Sequence, residues 1–210
     1  MEHGYALLGL ATIDYATDVE EAAVRKNVDK ARAVFTELKS PGSIFHCDRV
    51  EAELQLRRGD VVEPAICFKK WLSIYRAEPN FALECLCKLA DPDYGMHQPE
   101  TTFAYAVVMF GYAKKAEIMP SVYLALRYIG DMFLRSGDEV TARHLYQISL
   151  EGCAVMGIHK HQAECLTRLA RICRKEGDAS RFVDLLRQAE YLFERSSQAK
   201  RVDEVKQLLK

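Results

Sequence analysis

The chain has 210 residues, 49% of them hydrophobic, which is enough for one large domain or one solenoid and leaves no long stretch that reads as disordered. Its 29 basic and 30 acidic side chains give a formal net charge of -1, so no general field draws it to nucleic acid or to an anionic membrane surface. No segment reaches 18 continuous apolar residues, and residues 1–10 lack the basic and long apolar parts of a secretory signal; a cytoplasmic protein is expected.

Five helical hairpins are expected in chain order, at about 1–40, 43–77, 80–117, 119–156 and 158–195, followed by a capping helix at 197–210, all in one domain. In the first, Ala31 and Phe35 fit the pattern of the later hairpins, while the stretch from Asp18 to Asn27 is longer than that pattern allows. The second carries Val50, Leu54 and Leu56 before the turn Gly59-Asp60, then Phe68 and Leu72. Pro64 falls in the first turn of its helix, where proline does least harm. The third is broken by Asp91-Pro92-Asp93-Tyr94-Gly95-Met96-His97-Gln98-Pro99, whose two central breakers and final proline read as a loop. The fourth has an apolar stripe at Val122, Leu126, Ile129 and Phe133, the turn Gly137-Asp138, then Ala142 and Tyr146. The fifth repeats it with Leu166, Leu169 and Cys173, Gly177-Asp178, then Phe182, Leu186 and Ala189. In each turn glycine supplies a left-handed residue and aspartate is placed to cap the next helix. The last helix has Val202, Val205, Leu208 and Leu209 on one face, a lid over the final hairpin.

A small residue returns at Ala52, Ala90, Gly130 and Ala170, at intervals of 38, 40 and 40. Self-similarity of this period signals stacked helical hairpins, with the small residue where two helices approach most closely. The fold expected is an all-α, right-handed superhelical solenoid. Stacks of this kind bind more often than they react.

The spacing within a unit resembles the tetratricopeptide (TPR) repeat. Ile129-Gly130, Gly137, Ala142 and Tyr146 carry the likeness in full; Phe182 and Pro64 stand where alanine belongs in two other units, and the period is longer than the usual one. More specifically, Val28-Asp29-Lys30-Ala31-Arg32-Ala33-Val34-Phe35, Arg57-Arg58-Gly59-Asp60, Arg127-Tyr128-Ile129-Gly130-Asp131-Met132-Phe133-Leu134 and Leu192-Phe193-Glu194-Arg195-Ser196-Ser197-Gln198-Ala199-Lys200 resemble the C-terminal TPR-like region of fungal (basidiomycete) STAND/NACHT-type nucleotide-binding proteins. That resemblance implies a regulatory or sensing role beside a nucleotide-binding domain. The chain itself holds no Gly-x-x-x-x-Gly-Lys-[Ser/Thr] segment, so such a domain would belong to a longer protein.

Laying the repeat on the sequence places three rows on the concave wall. One is Arg49, Cys87, Arg127 and Thr167. The next is Glu53, Asp91, Asp131 and Arg171. The third includes Arg57, Arg135 and Lys175. Arg49 with Glu53, and Arg127 with Asp131, are four apart and face each other on a helix. One reading is a charged groove for a protein or peptide; the other is a ladder of solvated ion pairs, each worth about 0–1 kcal/mol. Asparagine is confined to Asn27 and Asn80, off these rows, which disfavours an asparagine ladder or a lysine–asparagine clamp on a peptide terminus.

No nucleophile–base pattern or paired-carboxylate motif stands out, so no catalytic residue, cofactor or metal is assigned. His161 and Cys165 have a usable ligand spacing but lack a third and fourth ligand, and a surface histidine pair, His159 and His161, is the plainer account. Asp91 and Asp93 read as helix caps. The seven cysteines, odd in number and mostly in apolar helices, read as free thiols in a reducing compartment. Interleaved acids make the basic C-terminal tail a solvated helix face. The function expected is a non-enzymatic protein- or peptide-binding scaffold. A structural or self-assembly element is the first alternative, and an enzyme or metal protein the second.

Overall fold

Helix-period apolar residues, prolines near helix starts and left-handed turn residues divide the chain into segments of nearly equal length. The computed structural model describes residues 1–16 and 21–210. Among the described residues there are eleven helices and no strand: α1 Glu2–Ala16, α2 Glu21–Glu37, α3 Pro41–Arg57, α4 Val62–Tyr75, α5 Pro79–Leu89, α6 Pro99–Lys115, α7 Met119–Arg135, α8 Glu139–Val155, α9 His159–Lys175, α10 Ala179–Arg195 and α11 Ala199–Leu208. This is the all-helical repeat fold expected. The reading of an overlong stretch from Asp18 to Asn27 lies partly outside the described residues; Glu21 to Asn27 open α2.

From α6 to α10 every helix has 17 residues. A left-handed residue follows each of the five, at Glu117, Gly137, Gly157, Gly177 and Ser197. Each of these turns closes in the same way. At Gly137 the amide bonds Leu134 and the next amide, of Asp138, bonds Phe133, at 3.2 and 2.9 Å, the two-bond closure of a Schellman end. Glycine meets the left-handed requirement without strain; Glu117 and Ser197 adopt φ of 57° and 55° in its place. Asp138 and Asp178 then cap α8 and α10, each accepting from the backbone N–H three residues on at 3.0 Å. Asp60 differs. Helix α4 begins a residue later, so its carboxylate accepts from Val62 N at 3.1 Å and no side chain caps that helix.

The chain forms two compact units, residues 1–85 with 94–96, and residues 86–93 with 97–210. In the first, α1, α2 and α3 pack around Val24, Val28, Ala31, Phe35 and Val50, and α4 packs on α3. An aromatic cluster lies beside them, with Phe45 5.5 Å from Trp71 and Tyr75 stacked 4.7 Å from Phe81. In the second, α6 to α11 pack in sequence, each on the one before. The final helix buries Val202 and Val205 against Leu186, Ala189 and Phe193, with Leu208 and Leu209 beside them, as expected of a lid.

All four recurring small residues are buried. Gly130 shows why. A Cβ there would lie 2.8 Å from Tyr146 Cε1 and 3.3 Å from Leu145 Cβ. Ala170 meets Leu186, the counterpart of Tyr146 in the next hairpin, and so tolerates one carbon more. The stripe expected on α7 is only half right. Leu126, Ile129 and Phe133 are half-buried, while Leu124, Ala125, Tyr128 and Met132 join Val122 in the interior. A helix with neighbours on two sides buries more than one face.

The Gly130→Ala substitution is expected to lower stability by about 1–3 kcal/mol, because the buried Tyr146 ring cannot retreat. Gly111→Ala, at an exposed helix position with no atom within 4 Å of the added carbon, is expected to raise it by about 0.4–1 kcal/mol. Urea denaturation of the two variants checks the pair.

Candidate functional site

The charged residues of the expected rows meet two fates. Arg57 and Lys175 are exposed at helix ends, and Lys175 Nζ bonds Glu139 at 2.7 Å. Arg171 is exposed and makes no ion pair among the described residues. By contrast Glu53, Arg127 and Asp131 are only 7%, 3% and 6% exposed, so a ladder of solvated pairs does not describe them.

In the second unit these groups form one network. Asp131, on α7, accepts from Tyr146 Oη at 2.7 Å and from Arg168 Nε, on α9, at 2.5 Å. Arg127 lies 3.7 Å from Asp131 and 3.1 Å from Glu164, also on α9. Arg168 reaches on through Nη2 to Asp93 at 3.0 Å. Asp91 accepts from Tyr128 Oη at 3.0 Å and, through its other oxygen, from the Asp93 backbone N–H. Arg135, half-exposed, donates to the Pro92 carbonyl at 2.9 Å. Asp91 and Asp93 were expected to cap helices. They are instead the anchor points of the segment after α5, and Gln98 stands before α6.

Burial and neighbouring charge set the protonation of the network. Burial pushes the Glu164 carboxyl up, but the Arg127 and Arg168 charges and the hydrogen bond with His161 outweigh it and hold the group well below the usual carboxylate range. Asp93 is likewise lowered, burial opposing and the charges of Arg168 and Arg127 prevailing. Asp91 goes the other way: burial raises it, and Arg127 only partly compensates. Arg127 and Arg168 stay charged, since nearby carboxylates overcome their desolvation.

The first unit repeats part of this. Arg49 bonds Glu53 at 3.1 Å and lies 3.0 Å from Glu84, as Arg127 does with Asp131 and Glu164. Glu84 and Glu164 are 80 residues apart, two periods of the repeat. Arg32 pairs with Asp48 and Glu51, and Trp71 Nε1 donates to Asp48 at 2.8 Å. The sequence rows missed Glu164, Arg168, Asp93 and the two tyrosines. Their partners lie on neighbouring hairpins, and the one legible signal was the 80-residue spacing of Glu84 and Glu164.

Two openings lie in the second unit. One, of about 180 Å3, is walled by α9 and α11 and includes Thr167, Arg168 and Arg171. The other, of about 410 Å3, is apolar; Phe103 of α6 and Phe133 of α7 meet in it edge to face at 6.0 Å.

His161 and Cys165 do not form a metal pair. His161 Nδ1 bonds Glu164 at 3.2 Å, Cys165 donates to Ser149 Oγ, and burial pushes the Cys165 thiol up to about 11, away from the thiolate a metal needs. His161 is half-buried rather than a surface group. Among the described residues no cluster of three or more His, Cys, Asp or Glu is placed to hold a metal, and no helix is long and apolar enough to cross a membrane. All seven cysteines are free thiols, five of them buried.

The chain is similar in structure to the apo form of RapI, known from its crystal structure. The TM-score is 0.73 at 12% sequence identity, covering 98% of this chain and 75% of that one, a likeness of helical-repeat fold. No protein-family model matches the chain. No curated protein matches it.

The network sets an acid limit on stability. Glu164 has its folded pKa below its unfolded value of about 4.3, so its contribution is complete above that value and is lost as pH falls below it, where the unfolded chain binds the extra proton. Replacing it by Gln is expected to lower stability at pH 7 and to flatten the fall in stability between about pH 5 and pH 2. Urea midpoints taken across that range check it; an unchanged acid slope contradicts the assignment.

Proposed function

We propose that the chain is a non-enzymatic interaction module that binds a protein or peptide on the face formed by the first helices of its hairpins, chiefly α7 and α9. The observation that carries this is the buried network of Arg127, Asp131, Glu164 and Arg168, which fixes those two helices and leaves an open charged cleft at the end of the row. A network tied across two helices by ion pairs and hydrogen bonds holds Glu164 and Arg168 of the cleft in place before a ligand arrives, which lowers the ordering cost of binding. Arg49, Glu53, Arg57, Asp91, Arg135 and Lys175 belong to this reading as supports or rim charges, and Arg171 as a contact.

The resemblance to fungal STAND-type proteins gives the module its setting. It would act in the cytoplasm as the sensing or recruiting region of a longer protein whose nucleotide-binding domain lies outside this chain.

Self-assembly is the second reading. It is favoured by the exposed apolar residues Phe103, Val107 and Val108 on α6, beside the 410 Å3 opening. Light scattering at increasing concentration separates the two: the interaction module stays at the mass of one chain, and the assembly element does not.

Selection of a displayed random peptide library on the immobilised chain is expected to enrich a consensus sequence. The corresponding synthetic peptide is expected to shift backbone amide resonances of α7 and α9. A library that enriches nothing, or shifts confined to the second helices α8 and α10, overturns the reading.

A further inference from the structure

The 180 Å3 cleft is built from two helix faces with the same spacing. On α9, Glu164, Thr167, Arg168 and Arg171 recur at intervals of three, one and three residues; on α11, Arg201, Glu204, Val205 and Leu208 do the same. Each residue of the second set lies 37 residues after its fellow in the first. In the 40-residue register of the repeat, however, Glu204 is the counterpart of Glu164, and Leu208 is the counterpart of Arg168.

That register explains where charge is left over. At the preceding step, Asp131 of α7 is met by Arg168 of α9, and Arg127 by Glu164. One step later Arg171 replaces Asp131 and Thr167 replaces Arg127. Arg171 therefore shares the cleft with an apolar Leu208, and Glu204 is paired at 2.8 Å by Arg201 of its own helix. Arg168 and Glu164 are occupied by the network, and Asp93 is held by Arg168. Arg171 is the remaining cation, beside a wall formed by Phe193, Val205 and Leu208.

We propose that the cleft receives the acidic side chain of a bound peptide, its carboxylate on Arg171 and an adjoining aliphatic residue against Val205 and Leu208. This rests on the peptide-binding reading above and names its recognition element. A cleft of about 180 Å3 has room for a side chain, with the rest of the peptide lying over its mouth. Arginine pairs with a carboxylate through two parallel hydrogen bonds, stronger than neutral ones. Three resident carboxylates, Asp93, Glu164 and Glu204, line the same space, so a singly charged carboxylate is accommodated with less repulsion than a doubly charged phosphate.

The same displayed library, with its peptides embedded so that no free carboxyl terminus is present, tests the proposal. The expected consensus contains Asp or Glu next to Leu, Ile or Val. A synthetic consensus peptide, capped at both ends, is expected to shift the amide resonances of Thr167, Arg171 and Val205. Changing its acid to the amide, or the protein to Arg171→Ala, is expected to weaken binding about tenfold or more, read by calorimetry. Arg187→Ala, an exposed cation on the second helix α10, changes it less than about twofold. Circular dichroism of the Arg171→Ala protein is expected to match the parent, since that side chain supports no internal pair. A consensus without an acid overturns the proposal and leaves the binding module standing, as does an acidic peptide indifferent to Arg171→Ala. A peptide that binds only through a free carboxyl terminus, or only when phosphorylated, overturns it too, and a library that enriches nothing removes both readings together.

Discussion

The second unit depends on the carboxylate of Asp131. It takes a hydrogen bond from Tyr146 on its own hairpin and one from Arg168 on the next, with Arg127 beside it. One side chain thus joins the two helices of a hairpin and also the first helices of consecutive hairpins. Removing one member of such a buried set leaves an uncompensated charge, at a cost of about 3–5 kcal/mol. Apolar packing accounts for the association of the helices; the shared carboxylate fixes their rotation and register. A slip of α9 by one residue would turn its side chains by about 100° and carry Arg168 away from Asp131.

The same device occurs twice, once in each unit. Arg49 with Glu84 and Arg127 with Glu164 are bridges between first helices of successive hairpins, at 3.0 and 3.1 Å. They differ in burial, Arg49 being half-buried and Arg127 almost fully enclosed. Desolvation makes the second bridge demanding. The carboxylate is held ionised only because Arg127, Arg168 and His161 converge on it, and the arginines stay charged only because carboxylates surround them. Each member of the set is tolerable inside the protein because of the others, so it acts as a unit and its energetics are not a sum of pairs.

Much of this was legible in the sequence because it is local. Glycine at 137 and 177 must end a helix, aspartate after it caps the next, and a small residue every 40 positions marks the closest crossing, which Gly130 against Tyr146 shows directly. Helix ends without glycine were harder to read: Glu117 and Ser197 occupy the same left-handed position, and only the 20-residue spacing of the turns gives them away. The charged rows fall on α3, α7 and α9 except for Asp91, which lies beyond the end of α5, and their environment was not foreseen. Spacing within one helix shows that Arg127 and Asp131 are neighbours. It does not show that Glu164, Arg168 and Tyr146 close over them, because those contacts run between helices. Asp91 and Asp93 were misread for the same reason, since a loop acid reads as a cap until an arginine 75 residues away reaches it.

Repetition also fixes where such a stack is left incomplete. At two steps, α3 to α5 and α7 to α9, a first helix offers charges that the following one meets. At the last step α11 keeps the register of position and abandons that of chemistry. Leu208 seals the core beside Leu209 and Val205 where an arginine would have continued the network. A terminal helix has to close the apolar interior, and apolar residues suited to that cannot also answer the charges of α9. The unmet charge is therefore left at Arg171, in a cleft that also holds the network's Glu164 and Arg168. A repeat protein that pairs its interior charges from one hairpin to the next will tend to present its free charge beside the capping helix, where the alternation of partners stops.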